Sequence, residues 1–277
     1  MNGRIVKIIS NLYTVACEDE LYGCRARGKF RNENITPMVG DNVIIDTEKL
    51  VITDILPRVN ELYRPIVANV DIGLIIQSTK KPTLDLVLLD KLISVITFND
   101  IEPVICFTKL DLLDEEEKIE INKYINYYRK IGYVVVTNEK RDNFRDLFKD
   151  KITVLTGQSG AGKSSLLNML DPSLDLKTDE ISLALNRGKH TTRHTELYEV
   201  MGGYIVDTPG FSSIDFRGMQ NTDIRDNMKE MFDNLGKCKY RDCMHIKEDD
   251  CEVKRLVSEE KILQSRYENY RSFIGGK

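Results

Sequence analysis

The 277-residue sequence lacks the features that mark membrane-bound and secreted proteins. No apolar run approaches the length of a transmembrane helix, and the N-terminus has no hydrophobic segment like that of a secretory signal. A strong charge imbalance is also absent: the formal net charge is −4, so any contact with RNA must come from local basic patches. These absences favour a cytoplasmic protein, and the length suits two or three small domains.

Cysteine is sparse, with six residues in the chain. In an intracellular protein, cysteines more often bind metal or remain free thiols than form disulfides. Cys17, Cys24 and Cys106 lie within apolar, strand-like runs, and we expect them to be core residues.

The other three cysteines form a spaced set with a histidine near the C-terminus. The pattern Cys238-x4-Cys243-x-His245-x5-Cys251 places four soft or borderline ligands within 14 residues. Such a Cys₃His set predicts a closed, tetrahedral structural site that holds one Zn²⁺ ion. The alternative is three free thiols beside a surface histidine.

A glycine-rich stretch in the middle of the chain matches the G-x-x-x-x-G-K-S pattern of a phosphate-binding loop. The apolar run 152–156 precedes it and the apolar-rich segment 165–170 follows, which predicts strand, turn and helix. Backbone N–H groups would close around a polyphosphate, Lys163 would reach the outer phosphates, and the Ser164 hydroxyl would bind Mg²⁺. A chance glycine- and serine-rich loop is the alternative. The candidate nucleotide-binding residues here are Gly157, Gln158, Ser159, Gly160, Ala161, Gly162, Lys163, Ser164 and Ser165.

The N-terminal region predicts a small β-barrel. Turn residues separate its strand-like runs, and no helical period is present. The runs are 4–9, 12–17, 21–26, 43–46 and 51–56. An OB-type barrel is the leading candidate for this pattern.

Four cations in this region, Arg25, Arg27, Lys29 and Arg31, alternate with small or apolar residues. In an extended chain all four would project from one face and could follow a phosphate backbone, so they are candidate RNA-binding residues. A charged strand edge that resists aggregation is the alternative.

From Asn69 onward the pattern alternates between strand and helix, which predicts a doubly wound α/β nucleotide-binding domain. The expected strands are 70–77, 103–108, 133–137, 152–156, 197–200 and 204–207, and the expected helices are 84–98, 115–130 and 143–149. Asp114 as N-cap and Gly132 beyond the last turn mark the second of these helices.

The strand 204–207 ends in the tetrapeptide Asp207-Thr208-Pro209-Gly210. Asp207 could hold Mg²⁺ through water, and the Gly210 N–H could sense a γ-phosphate. Alone this tetrapeptide would be an ordinary turn, but after a phosphate loop it indicates a switch NTPase.

The segment Thr108-Lys109-Leu110-Asp111 resembles the guanine-reading motif Asn-Lys-x-Asp of GTPases. Asp111 would accept hydrogen bonds from the N1–H and the exocyclic amine of guanine, and the Lys109 stem would pack along the base. Thr108 departs from the usual asparagine, because a hydroxyl cannot supply both functions of an amide.

The order of these motifs differs from that of ordinary GTPases, in which the phosphate loop comes first. Here the candidate base loops, 108–111 and the looser match Thr137-Asn138, precede the phosphate loop at 157–164. The GTPase domain is therefore circularly permuted. With a barrel before it, the chain resembles the RsgA family, GTPases that depend on the small ribosomal subunit. The segments that carry the resemblance are Arg27-Gly28-Lys29-Phe30-Arg31, Val39-Gly40-Asp41, Arg64-Pro65, Asn69-Val70-Asp71, Gly188-Lys189-His190-Thr191-Thr192 and the Cys₃His set.

This resemblance implies a circularly permuted P-loop GTPase domain with an N-terminal OB-type β-barrel and a C-terminal helical zinc-binding module. We expect the barrel in 1–65, the GTPase domain in 66–218 and the zinc-binding module in 219–277. The segment Arg266-Tyr267-x-x-Tyr270 resembles the C-terminal pattern of the family, and we expect its tyrosines to pack the last helix against the zinc site.

Catalysis depends on orienting water, and the residue after Asp-Thr-Pro-Gly is Phe211, where many GTPases carry a glutamine for this purpose. A phenyl ring cannot orient water, so we expect the isolated protein to hydrolyse GTP slowly. The resemblance marks His190 as the switch histidine and a catalytic candidate beside Lys163; a surface histidine without a catalytic part is the alternative. Either Thr191 or Thr192 could present a hydroxyl to Mg²⁺, and we favour Thr192.

Chain order also suggests how GTP could act on the zinc module. Switch II, at 210–213, leads through one helical segment, 222–234, directly into that module. Ordering of the switch by GTP could therefore reposition the module.

The function implied by the resemblance is GTP hydrolysis in late maturation of the small ribosomal subunit, stimulated by the subunit. The resemblance also implies GTP, Mg²⁺ and one Zn²⁺ per chain as cofactors. We expect a monomer that contacts rRNA and binds no membrane. A P-loop kinase or ATPase is a second interpretation, which Asp111 disfavours. A third is an RNA-binding assembly factor that GTP gates, with incidental hydrolysis.

Overall fold

The computed structural model describes residues 1–32, 35–63, 65–174, 195–207 and 216–275. Two compact units divide the chain: the first comprises 1–74, 139–156 and 162–211, and the second comprises 75–138, 157–161 and 212–277. Among the described residues, no helix has both the length and the apolar character that crossing a bilayer requires.

The N-terminal part of the first unit is a five-stranded barrel. Its strands are β1 (Asn2–Ile9), β2 (Leu12–Cys17), β3 (Glu20–Ala26), β4 (Asn42–Asp46) and β5 (Val51–Ile55). β1 pairs with β2 and β4, β2 pairs with β3, and β5 closes the ring by pairing with β3 and β4. The fully buried residues of these strands include Ile5, Val15, Cys24, Val43 and Ile52. The predicted barrel is confirmed, and the three cysteines expected in the core (Cys17, Cys24 and Cys106) are buried.

The basic segment after β3 does not continue the strand. It forms one helical turn, α1 (Lys29–Asn32). Phe30 is 3% exposed, and burying a phenyl ring contributes about 1.5–3 kcal/mol, which favours a turn over an extended chain here. Lys29 Nζ is bonded to Asp54 Oδ1 at 2.7 Å. The predicted extended chain therefore reaches Arg25 in β3 and ends before α1, so the alignment of all four cations on one face is wrong for Lys29 and Arg31.

Further strands and helices of the first unit follow the barrel in the chain. They are β6 (Glu61–Tyr63), β7 (Ile66–Ala68), β11 (Ile152–Thr156), β12 (Glu196–Val200), β13 (Gly203–Asp207), α4 (Arg145–Phe148), α5 (Lys163–Leu170) and the 3₁₀ turns Arg141–Phe144 and Pro172–Leu174. β6 and β7 form a hairpin, β12 and β13 form another, and β13 is parallel to β11. The sequence did not predict β6 and β7, because strands of three residues are too short to show a period.

A buried aspartate fixes the junction between the barrel and the β6–β7 hairpin. Asp41 is fully buried, and its carboxylate accepts the N–H of Met38 at 2.7 Å and two hydrogen bonds from Arg58, at 2.7 and 2.9 Å. Paired bonds from a guanidinium group are among the stronger side-chain interactions. Gly40 has φ of +91°, and a Cβ there would lie 2.0 Å from the carbonyl oxygen of Ala68. The Gly40-Asp41 pair therefore has a structural role.

The second unit contains the candidate base loops and the C-terminal segment. Its elements are β8 (Ile72–Ser78, which begins in the first unit), β9 (Glu102–Thr108), β10 (Val134–Thr137), α2 (Leu86–Phe98), the 3₁₀ turn Leu110–Leu112, α3 (Glu115–Lys130), α6 (Asn221–Asp226), α7 (Lys229–Phe232), α8 (Glu252–Ser258) and α9 (Gln264–Gly275). β9 and β10 are parallel. α3 begins as predicted, because the side chains of Asp114 and Glu117 each accept the other's backbone N–H in a capping box.

The segment predicted as one helix, 222–234, forms two. α6 ends at Asp226 and α7 begins at Lys229, with Met228 between them in an extended conformation (φ −116°, ψ 106°). Met228 is fully buried in the core of the second unit, and packing of its side chain outweighs local helical propensity. The prediction of a continuous helical segment is therefore wrong.

A buried ionic cluster holds α9. Arg266 donates to Asp90 Oδ1 at 2.5 Å and to the two carboxylate oxygens of Glu230 at 2.9 and 3.1 Å. The hydroxyls of Tyr128 and Tyr127 donate to Asp90 and Glu230, both at 2.6 Å. The cluster thus joins α9 to α2, α3 and α7.

Gly40→Ala is expected to destabilise the barrel, because alanine would adopt a left-handed conformation and collide with a backbone carbonyl. The expected loss in the free energy of unfolding is about 1–3 kcal/mol. Urea unfolding followed by circular dichroism measures it. Gly28→Ala is the matched control, since a Cβ there would meet nothing within 4 Å. Equal effects of the two substitutions would contradict the account of Gly40.

Candidate functional site

The predicted phosphate loop connects β11 to α5, as the sequence pattern indicates. Gly157 begins the loop with φ of +128°, and a Cβ there would lie 2.0 Å from the carbonyl oxygen of Ile76. Glycine alone tolerates that approach. Lys163 is the first residue of α5, and burial lowers the pKa of its ammonium group. Because a partly desolvated cation is attracted more strongly to an anion, this position favours phosphate binding.

The first candidate base loop starts where β9 ends. Thr108 is 1% exposed, and its hydroxyl donates to the carbonyl oxygen of Ala161 in the phosphate loop at 2.6 Å. The hydroxyl therefore braces one loop against the other, and this contact does not need the amide of the usual asparagine. Lys109 has a left-handed backbone, with φ of 62°. Asp111 lies exposed in the 3₁₀ turn that follows, where its carboxylate can meet a base.

The second candidate base loop, at 137–138, follows β10 and is hydrogen-bonded to the end of β9. The Asn138 N–H donates to the carbonyl oxygen of Phe107 at 3.3 Å. The Thr79 hydroxyl donates to the carbonyl oxygens of Thr108 and Lys109, at 2.9 and 3.1 Å, and so fixes the first base loop. Sequence reasoning missed Thr79, because a single threonine after a strand belongs to no motif.

Asp85 is a second residue that sequence reasoning missed. It is the N-cap of α2, and its carboxylate also accepts a hydrogen bond from the side chain of Gln158 in the phosphate loop at 3.3 Å. An aspartate immediately before an apolar helical stripe was the available signal, although it indicates only the cap.

The four predicted metal ligands lie together. One ligand atom from each of Cys238, Cys243, His245 and Cys251 lies within 4.8 Å of the others. The Sγ atom of Cys251 is 3.9 Å from those of Cys238 and Cys243, too far for a disulfide, in which the sulfurs are about 2.05 Å apart. A tetrahedral zinc ion with Zn–S bonds of about 2.3 Å would separate its sulfur ligands by about 3.8 Å. The residues therefore fit tetrahedral zinc.

Contacts around this Cys₃His cluster orient the histidine for metal binding. Nδ1 of His245 is 3.5 Å from the Cys238 sulfur and 3.3 Å from that of Cys251, while Nε2 is 3.1 Å from the carbonyl oxygen of Met231. Such a carbonyl partner is usual for the second nitrogen of a metal-bound imidazole. Burial lowers the pKa of His245 and raises the pKa of Cys243 to about 12. A metal ion that binds here must therefore displace thiol protons, while burial already disfavours a proton on the imidazole.

The tyrosines of α9 pack against this cluster, as predicted. The hydroxyl of Tyr267 donates to the carbonyl oxygen of His245 at 2.7 Å, and that of Tyr270 donates to the carbonyl oxygen of Met244 at 2.6 Å. Both side chains are buried, so α9 supports the backbone of the Cys₃His cluster.

Part of the predicted site lies outside the described residues. This applies to His190, Thr191, Thr192 and Gly210, and to the side chains of Asp207 and Arg31. Of the predicted catalytic residues, the structure describes Lys163.

Comparison with protein families matches two parts of the chain. The RsgA GTPase model matches residues 55–217, and the RsgA N-terminal domain model matches residues 2–50. The small ribosomal subunit biogenesis GTPase RsgA of Enterococcus faecalis is 46% identical over 280 residues, which cover 99% of this chain and 94% of that protein. The protein of the same name from Halalkalibacterium halodurans is 44% identical and covers 98% and 95%.

Solved structures share the fold. YloQ, described as a circularly permuted GTPase, has a TM-score of 0.85 at 36% identity, covering 99% of this chain and 94% of that chain. YjeQ from Thermotoga maritima has a TM-score of 0.86 at 33% identity, covering 99% and 97%. The predicted fold class is confirmed: a circularly permuted GTPase domain with an N-terminal barrel and a C-terminal Cys₃His module. The chain belongs to the RsgA GTPase family.

Proposed function

We propose that this chain hydrolyses GTP in late maturation of the small ribosomal subunit, and that the subunit stimulates the hydrolysis. The observation that carries the proposal is near full-length similarity to proteins named as small ribosomal subunit biogenesis GTPases. The hydrogen bond from Thr108 to Ala161 supports it, because it braces a base loop against a phosphate loop.

The proposed roles of the site residues follow from their chemistry. Asp111 accepts two hydrogen bonds from guanine, and Lys163 offsets charge on the outer phosphates. Mg²⁺, bound by Ser164 and Thr192, supplies further positive charge to those phosphates. His190 orients the attacking water. The other proposed nucleotide contacts are Gly157, Gln158, Ser159, Gly160, Ala161, Gly162, Ser165, Thr108, Lys109, Thr137, Asn138, Asp207 and Gly210.

The flanking regions are proposed to bind the ribosome. The barrel occupies residues 1–65, the GTPase domain 66–218, and a module held together by zinc 219–277. Arg25, Arg27, Lys29 and Arg31 stay candidates for rRNA contact, and of these Arg25 and Arg27 are exposed on the barrel. The protein would act in the cytoplasm as a monomer.

Asp111→Asn should lower the affinity for GTP about 100-fold or more, because charge-assisted hydrogen bonds to guanine are lost. An amide N–H suits the 2-oxo group of xanthine, so the affinity for xanthosine triphosphate should rise. Titration calorimetry with both nucleotides measures the change. Asp114→Asn is the matched control, since it removes a nearby carboxylate while asparagine still caps α3. Unchanged GTP selectivity in Asp111→Asn would refute the assignment of the base loop.

The purified protein should contain about one zinc ion per chain, because such sites are closed and four-coordinate. Cys243→Ser should lose the metal and expose residues 238–251 to hydrogen exchange, since metal binding contributes folding free energy there. Elemental analysis and hydrogen exchange provide the two measurements. Cys106→Ala should keep its zinc, because Cys106 lies outside the Cys₃His cluster. A metal-free protein after purification without chelator would contradict the assignment.

Small subunits should accelerate GTP hydrolysis, and His190→Ala should lose most of that acceleration, about 10²–10⁴-fold for a positioned acid–base or orienting group. The basal rate and GTP affinity should change little. Single-turnover hydrolysis with and without subunits measures both rates, and Lys163→Ala should abolish them.

His194→Ala is the matched control for this experiment, as a nearby histidine without a proposed role. If small subunits do not raise the rate of GTP hydrolysis by the wild-type protein, the proposed function is wrong. If small subunits stimulate His190→Ala as strongly as the wild type, the group that orients water comes from the ribosome.

A further inference from the structure

Asp85 connects the phosphate loop to the first turn of α2. One carboxylate oxygen, Oδ1, accepts the N–H of Leu88 at 2.9 Å and caps the helix. The other oxygen, Oδ2, accepts a hydrogen bond from the Gln158 side chain at 3.3 Å. The two oxygens therefore hold the helix and the loop at once, which the single hydroxyl of a capping serine would not reproduce.

Asn269 of α9 holds the same turn of α2. It is 7% exposed, and its side-chain amide donates to the carbonyl oxygen of Leu86 at 3.1 Å and to Asp90 Oδ2 at 2.7 Å. Asp85, Gln158 and Asn269 also line one cavity of about 560 Å³. The hydrogen bonds of Asp85 and Asn269 therefore both act on the first turn of α2, beside this cavity.

The same helix, α9, is bonded to the Cys₃His cluster. Tyr267 and Tyr270 donate to the carbonyl oxygens of His245 and Met244, and Arg266 is paired with Asp90. A continuous series of contacts therefore runs from the cluster through α9 and α2 to the phosphate loop. Every member of the series belongs to the second unit.

We infer that Asp85 and Asn269 are positioning residues for the phosphate loop, and that they couple metal binding at the Cys₃His cluster to phosphate binding. A bound metal fixes the carbonyls that hold the tyrosines of α9. Asn269 then fixes the first turn of α2, and Asp85 fixes Gln158. This inference rests on the proposed zinc and GTP sites, and its route differs from the one through switch II.

Coupling between two binding sites is reciprocal, so nucleotide must raise the affinity for zinc by the factor by which zinc raises the affinity for nucleotide. The test is the zinc affinity of the full chain, measured by equilibrium competition with a chromophoric chelator, with and without saturating GDP. GDP should increase the zinc affinity about fivefold or more, the low end of measured couplings.

Variants of the series separate this route from general stability. Asp85→Ser keeps a side chain that caps α2 but removes the carboxylate that holds Gln158, so the effect of GDP on zinc affinity should disappear while zinc content and melting temperature stay near wild type. Asn269→Leu should also remove the effect. Ser265→Ala is the matched control, because Ser265 lies on α9 and lines the same cavity but is not part of the series.

The outcomes distinguish this inference from the proposed function. If GDP binds and one zinc is present, but zinc affinity does not change, the inference is overturned while the proposed function stands. A chain without zinc overturns both the coupling and the metal assignment. A full GDP effect in Asp85→Ser overturns the route through α2.

Discussion

The burial of Arg266 is the constraint on which the C-terminal part of the second unit depends. The side chain is 1% exposed, and an unpaired guanidinium group in such a place would cost several kcal/mol. Asp90 and Glu230 offset that cost by accepting hydrogen bonds from all three guanidinium nitrogens. Breaking one side of a buried pair typically costs about 3–5 kcal/mol. The two carboxylates lie on α2 and α7. Displacement of α9 would therefore separate Arg266 from Asp90 and Glu230 and leave these charged groups without partners.

Local patterns predicted those features that local interactions decide. The N-cap Asp114 and the Cys₃His cluster within 238–251 each occupy one short stretch, so residue type and spacing alone indicate them. Two predictions, the extended basic segment and the single helix 222–234, were wrong because the burial of one side chain outweighed the local pattern. Phe30 turns the basic segment into α1, and Met228 divides a predicted helix. The hydrophobic pattern shows that such residues are apolar but not where the core will lie.

Contacts between distant residues could not be predicted, although they organise the site. Thr108 and Ala161 are 53 positions apart, and Asp90 and Arg266 are 176 apart. Each of these residues had an acceptable local explanation as a motif position, a helical residue or a family resemblance. The guanine motif therefore predicts a ligand for Asp111, but it does not predict that Thr108 is hydrogen-bonded to the phosphate loop. Residue types thus predict a chemistry for the site, whereas the contacts that support it depend on the fold.

In this circularly permuted chain, the contacts that support the phosphate loop join segments that are far apart in sequence. In this chain α2 and the base loops precede the phosphate loop, and α9 follows them all, yet α9 is bonded to α2. The first helix of the α/β region, α2, is thus held by hydrogen bonds from the last helix of the chain. Removing α9 would take both Arg266 and Asn269 away from Asp90, on the helix whose N-cap is hydrogen-bonded to the phosphate loop. The last helix, α9, therefore helps to position α2 beside the predicted phosphate loop, in addition to any surface that the C-terminal segment presents to a partner.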